Sequence, residues 1–188
     1  MRPFAWLVML LVGLGIPARA ADADQLWDLL RSGRLVIMIR HAITTPGVGD
    51  PPGFRLDDCS TQRNLTDEGR AHARRLGEAF RVRGIPVDRV LSSPWCRCVE
   101  TARLAFNVAP DVSAPLSNLF GRPEAHDEQV RQLRPILGAA PARGNLVLVT
   151  HGSTIQAVTG INPATGEMVV VTPQGNGRFA VAGRLRVP

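Results

Sequence analysis

Leu35-Val36-Ile37-Met38-Ile39-Arg40-His41 is the stretch on which the fold turns. Its apolar residues run without the polar alternation of a half-exposed strand. That pattern predicts a strand buried on both faces, as in a parallel sheet covered by helices. The run stops abruptly at two polar residues, Arg40 and His41. A second run, Leu146-Val147-Leu148-Val149 within 145–150, ends the same way, at His151-Gly152. A third strand, shorter, is expected over Arg89-Val90-Leu91-Ser92-Ser93, followed by Pro94 at the first position of a helix reaching Phe106.

Helical patterns fill the intervals. Residues 23–32 place Leu26, Leu29 and Leu30 on one face, and Gly33 ends the helix. Thr66 is the expected N-cap of the next helix, with Asp67 and Glu68 in its first turn. Its apolar face is Ala73, Leu76, Ala79 and Phe80, and Gly84 and Pro86 stop it. Further helices are predicted over 128–137 and 153–159. Residues 108–120 are irregular, with room for one brief strand. The chain ends in an expected hairpin, 168–172 and 179–185, around Gly175-Asn176-Gly177. Strands alternating with helices predict an α/β fold: a three-layer sandwich, single-domain, with a mostly parallel central sheet flanked by helices. Residues 44–64, rich in Pro, Gly and Asp, read as a long loop, and long loops in compact domains are usually functional.

The chain has 188 residues and a formal charge of +6. Arg2, an apolar run from Phe4 to Ile16 and Ala18-Arg19-Ala20 read as a signal peptide, residues 1–20, cleaved after Ala20. The run is too short to span a bilayer, so no stable membrane span is expected. Residues 21–188 then form one domain, periplasmic or secreted, with about two fewer positive charges once Arg2 and Arg19 leave. Every basic residue is Arg. The charges are scattered, with no tract that would bind nucleic acid, but a mild positive field favours anionic substrates. An exported chain meets an oxidising compartment, where a bridge from Cys59 to Cys96 or Cys98 would tie the long loop to a helix start and leave one thiol over. Cys-x-Cys without a second pair is a poor zinc motif.

In open α/β sheets, ligands bind outside the carboxyl ends of the strands. Arg40, His41, Arg97 and His151 should therefore converge at one edge. Taken singly, each has a bland reading as a solvated strand end or a surface ion-pair residue; together they have a chemical use. Arg forks hold phosphate oxygens bidentately and stay charged. A neutral imidazole attacks phosphorus, and a covalent intermediate divides one hard displacement into two easier ones. The spread charge of the transferring phosphoryl group needs fixed positive partners. No metal or other cofactor is called for. His72 and His126 read as structural or solvated.

These residues resemble a known family. Arg40-His41-Ala42 is similar to the Arg-His-Gly signature of the histidine phosphatase (phosphoglycerate-mutase-like) superfamily. Asn64-Leu65-Thr66-Asp67-Glu68-Gly69-Arg70 resembles its following helix start. The segment from Ser92-Ser93-Pro94 through Arg97 to Thr101-Ala102 resembles its third motif, and Val149-Thr150-His151-Gly152 its second histidine motif. The motifs stand in family order and cover most of residues 21–188. The resemblance implies His41 as the phosphorylated nucleophile. It implies Arg40, Arg97 and His151 as the phosphate pocket, with Thr44 where many members place a hydroxyl that touches phosphate. The long loop with Trp95-Cys96-Arg97-Cys98 is similar to an envelope subgroup resembling lipopolysaccharide-core heptose phosphatases, which implies a small phosphorylated substrate such as an envelope sugar phosphate.

The chain also departs from the family. Ala42 replaces Gly. The mutase-like branch keeps a Glu general acid after the third motif, where this chain reads Leu116-Ser117-Asn118-Leu119-Phe120-Gly121. A leaving alkoxide needs a proton. Glu124 is the leading candidate to supply it, followed by Asp127, Glu128 and Glu167. A leaving group of low pKa, an acyl phosphate or a phosphohistidine, would need no donor. The leading expectation is a metal-independent phosphomonoesterase working through a phosphohistidine. The alternative is a non-catalytic phosphate- or glycan-binding envelope protein derived from a phosphatase. A mutase fits export poorly, and Ser153 lacks the Gly-x-Ser-x-Gly elbow of a serine hydrolase.

Overall fold

The computed structural model describes residues 23–47 and 49–188. The expected signal peptide lies outside them. Helix α1 (Ala23–Arg31) leads into strand β1 (Val36–Arg40). After the long loop come α2 (Asp67–Val82), β2 (Val87–Ser92), α3 (Cys96–Phe106) and the two-residue β3 (Asp111–Val112). Then follow α4 (His126–Gly138), β4 (Asn145–Thr150), α5 (Gly152–Thr159), β5 (Met168–Pro173) and β6 (Phe179–Leu185). Among the described residues no helix is long and apolar enough to cross a membrane.

The strands form one sheet in the order β3-β2-β4-β1-β5-β6. β3, β2, β4 and β1 run parallel. β5 and β6 join as the expected hairpin, with β5 antiparallel to β1, so the sheet is mixed. β1 is fully interior, as its apolar run requires. Val36 and Met38 face a core layer with Leu133 and Leu137 of α4 and Ile155 of α5. Ile37 and Ile39 face the opposite layer, with Leu26 and Leu30 of α1, Leu76 and Phe80 of α2, and Ala102 and Ala105 of α3. The period of two along the strand thus feeds two cores at once. Each such Leu or Ile contributes about 1.5–3 kcal/mol when fully buried.

Two local features fix the ends of the sheet. Thr66 caps α2 as expected, its Oγ1 accepting from the Gly69 backbone N–H at 2.9 Å. Gly69 lets that helix start lie against the chain leaving β1: a Cβ there would fall 1.9 Å from the Ile43 carbonyl oxygen. β1 and β4 are in register, Arg40 opposite Thr150. The His41 N–H donates to the Thr150 carbonyl at 2.9 Å, and the Ser93 N–H to the Val149 carbonyl at 2.9 Å. The carboxyl ends of β1, β4 and β2 therefore stop at one level.

Candidate active site

That shared level is where the polar strand ends meet. His41, His151 and Arg97 are almost wholly buried. The rings of His41 and His151 lie edge to face with centroids 5.5 Å apart. A cavity of about 380 Å³ opens above them, lined by Arg40, His41, Arg63, Arg97, His151 and Ser153. Asn118, Phe120, Gln156 and Asn162 line it too, with Gly47, Gly49 and Gly152.

The histidines are held in different ways. His41 Nδ1 lies 2.9 Å from the Ala42 carbonyl oxygen. A carbonyl only accepts, so Nδ1 carries the proton and Nε2 keeps its lone pair. Burial, then the charge of Arg97, pushes the His41 pKa down to about 3, so the ring is neutral at ordinary pH. His151 Nε2 pairs with Ser93 Oγ at 2.7 Å, and Trp95 packs edge-on against its ring. Burial, then the neighbouring His41 and Arg97, holds His151 neutral as well.

The arginines carry donors without partners. Arg40 Nη1 donates to the Pro163 carbonyl at 2.8 Å, and Arg63 Nη1 to the Gly47 carbonyl at 2.7 Å. The Nε atoms of Arg40, Arg63 and Arg97 are all buried and unpaired. An unmet buried donor costs about 1–3 kcal/mol. Burial, then repulsion from Arg97, lowers the pKa of both Arg40 and Arg63. Three crowded guanidiniums with spare N–H groups are what an oxyanion would relieve.

The structure thus brings Arg40, His41, Arg97 and His151 together. It does not bring the other candidates to the cavity. Thr44 is absent from the lining; its backbone bridges to Leu65 at the edge of the long loop. The Glu124 side chain is 71% exposed beside Arg122. Asp127 and Glu128 are exposed on the first turn of α4. Glu167 is buried, but it accepts from the Ala164 N–H and from Arg184 and Arg186. Burial opposes its charge, and those donors outweigh burial and hold its pKa at about 2, so it carries no proton to give.

Arg63, Asp50, Ser93 and Trp95 are site residues that sequence reasoning did not single out. Asp50 and Arg63 come from the long loop, which its length and its subgroup resemblance marked as a whole without pointing to either residue. Cys59 pairs with Cys96, tying that loop to the start of α3, and Cys98 stays free and buried. His72 is buried on α2, and His126 is exposed beside Asp127, both away from the cavity.

Residues 36–132, just over half of the chain, match the model of the histidine phosphatase superfamily (branch 1). The mitochondrial serine/threonine-protein phosphatase Pgam5 of Drosophila virilis is 33% identical over 88 residues, a stretch covering 46% of this chain and 27% of that protein. The chain therefore matches only about a quarter of that relative's length. The protein histidine phosphatase SixA, solved with tungstate, superposes with a TM-score of 0.59 at 16% identity over 80% of this chain and 96% of that one. The phosphoserine phosphatase of Entamoeba histolytica, solved with 3-phosphoglyceric acid, gives 0.60 at 12% identity, over 81% and 97%. At such identities the two structures establish the fold alone. The family match spans Arg40, His41 and Arg97, while His151 reaches the site through the pairing of β4 with β1, and the chain belongs to the histidine phosphatase superfamily, branch 1.

Proposed function

We propose that this protein is a metal-independent phosphatase that passes the phosphoryl group of its substrate through His41. The observation that carries this is the state of that ring: neutral, with Nδ1 anchored to Ala42 and Nε2 free, at a cavity ringed by guanidiniums with unpaired N–H groups. His41 Nε2 attacks phosphorus and the bond from phosphorus to the leaving oxygen breaks, that oxygen keeping the electron pair. Charge on the phosphoryl oxygens falls to Arg40, Arg63 and Arg97, with His151 beside them. Positive charge appearing on the His41 ring is shared through Nδ1–H with the Ala42 carbonyl. Water then attacks the phosphohistidine, the P–N bond breaks, and inorganic phosphate and neutral His41 return.

The leaving oxygen finds no carboxylic acid along the described wall of the cavity. Glu124 would have to fold over from its exposed position to serve. A leaving group of low proton demand fits better: an acyl phosphate, a phosphohistidine, or the anomeric oxygen of a sugar phosphate. The sugar is favoured by the rest of the lining. The amides of Asn118, Gln156 and Asn162 and the exposed ring of Phe120 offer the hydrogen bonds and apolar face that a sugar takes. The Cys59–Cys96 pair supports an oxidising compartment, in line with an exported envelope enzyme cleaved after Ala20.

Brief incubation with a ³²P-labelled phosphodonor should leave acid-labile label on wild type and none on His41→Ala. Steady hydrolysis by His41→Ala would falsify the nucleophile assignment. Heptose phosphates tested beside simple phosphomonoesters probe the substrate; indifference to the sugar would remove that part. A non-catalytic phosphate- or glycan-binding protein is the second reading, favoured by the missing acid, and it predicts binding of phosphate with no labelling.

A further inference from the structure

Asp50 stands just behind the wall of the site, against Arg97, but does none of the chemistry described above. Its carboxylate is fully engaged. Oδ1 accepts from Arg97 Nη1 at 2.6 Å and from the Arg63 backbone N–H at 3.0 Å. Oδ2 accepts from Arg97 Nη2 at 3.1 Å and from the Trp95 indole N–H at 3.0 Å. The Asp50 and Arg97 side chains are 3% and 1% exposed. With every lone-pair direction used, Asp50 has no proton to give a leaving group.

The geometry of the pair has a consequence for Arg97. A guanidinium has two forks: one end-on, from Nη1 and Nη2, and one side-on, from Nε and the second proton of Nη2. Asp50 occupies the end-on fork. The side-on fork is left over, and its Nε is buried without a partner. Arg97 also starts α3 beside the Cys59–Cys96 bridge, so the loop carrying Asp50 and the helix carrying Arg97 are tied at adjacent points. A carboxylate this close to a phosphate site repels the phosphate. Its presence has to be offset by what it does to Arg97.

We propose that Asp50 is a positioning residue: it grips Arg97 end-on and so turns the side-on edge toward the transferring phosphoryl group. The proposal rests on the phosphatase reading above for its catalytic part. Asp50 gives up ground-state affinity for an oxyanion and gains orientation of Arg97 in the transition state. Removing its charge therefore separates the two quantities. Asp50→Asn should lower kcat by about 10- to 100-fold, the scale of a misplaced reacting partner. KM for a phosphomonoester, and Kd for tungstate by calorimetry, should stay level or fall, because a negative charge has left the layer just behind the wall. In an Arg97→Ala background, Asp50→Asn should have no further effect on kcat.

Losing one partner of a buried pair can unfold a protein, so a milder variant is paired with it. Trp95→Phe removes a single donor from Asp50 and keeps an aromatic ring beside His151; it should lower kcat in the same sense by less. A second readout needs no turnover. The ¹H–¹⁵N resonance of Arg97 Nε, identified by its loss in Arg97→Lys, should be sharp in wild type and should shift on adding tungstate. In Asp50→Asn, or in Trp95→Phe if the former does not fold, it should broaden. Unchanged kcat, a tungstate Kd that weakens in step with kcat, or losses that multiply with Arg97→Ala would each overturn the proposal. So would an Nε resonance that stays as sharp in the variants. A wild type that binds tungstate with the expected Nε shift but turns nothing over defeats the phosphatase reading and leaves the hold of Asp50 on Arg97 standing.

Discussion

Removing the Cys59–Cys96 bridge, by the double substitution Cys59→Ser with Cys96→Ser, should destabilise the fold while sparing the site. The two cysteines are 37 residues apart in sequence. Closing a loop of that length in the unfolded chain removes entropy equivalent to about 4 kcal/mol at 25 °C in the chain-entropy account. At about 2–4 °C per kcal/mol for a domain of this size, the melting temperature should fall by roughly 8–16 °C. The site should survive because other bonds tie the same elements. Gln62 Oε1 accepts from the Cys96 N–H at 3.0 Å, Asn64 Nδ2 donates to the Cys59 carbonyl at 2.6 Å, and Asp50 still holds Arg97. The assay is thermal unfolding by circular dichroism beside phosphatase activity at 20 °C, with reductant-treated wild type as a second arm. Cys98 should not interfere, since burial pushes its thiol pKa up to about 12. A melting temperature that hardly moves would refute the entropic argument. Activity that collapses well below the melting transition would refute the independence of the local ties.

Other consequences are open to simple measurement. His41 is neutral in the fold, with a pKa of about 3, but titrates near 6.5 once unfolded, so the unfolded chain takes the proton first. The stability tied to this group is whole above about pH 6.5 and is lost as pH falls toward 3, at up to about 1.4 kcal/mol per pH unit. Urea unfolding should therefore show a shallower acid slope for His41→Ala than for wild type, and equal slopes would contradict it. Gly69→Ala would set a Cβ 1.9 Å from the Ile43 carbonyl oxygen, so α2 must shift and the melting temperature must drop; an unchanged melting temperature would mean the helix start is looser than it looks. Glu167→Gln removes the carboxylate behind the turn that receives Arg40, at a cost of about 1.5–3 kcal/mol if its charged hydrogen bonds matter. Denaturant midpoints that coincide for the two proteins would show those bonds to be idle.

What could be read from the sequence was local or periodic. The strands β1 and β4 were legible because each is a short apolar run with a sharp polar end, and parallel pairing then aligns the ends. Arg40, His41 and His151 inherit their places from that rule alone, and Arg97 from the helix that follows β2. The antiparallel placement of β5 against β1 was not legible, since a terminal hairpin can dock at either edge of a sheet. Nor were Asp50 and Arg63. They reach the cavity through a loop whose path is set by a disulfide, by Gln62 against Cys96 and by the carboxylate grip on Arg97, none of which has a period. The choice of Cys96 over Cys98 is likewise tertiary. Cys98 points into the core against the Thr150 carbonyl and His151, while Cys96 faces the loop.

The missing acid has a consequence that leaving-group chemistry can test. Among the described residues the cavity wall holds arginines, neutral histidines, amides and hydroxyls, and Asp50 just behind it has no free proton. On the mechanism proposed above, phosphorylation of His41 has to expel its leaving group with little protonation, and negative charge builds on that oxygen in the transition state. The rate should climb steeply as the leaving group becomes more acidic along a series of aryl phosphates. For one sugar, the anomeric phosphate should react ahead of the phosphate on its primary hydroxyl, because the anomeric oxygen is the better anion. On that mechanism, dephosphorylation of His41 is the same step for every substrate, so burst kinetics can isolate the first step from the second. A flat dependence on leaving-group pKa would mean that a donor reaches the site after all. Glu124 is the group to remove next in that event: Glu124→Gln should then make the flat series steep. If the series is steep in wild type and unaltered in Glu124→Gln, the three guanidiniums and His41 suffice for the chemistry, and the substrates of this protein are those whose oxygen can leave unaided.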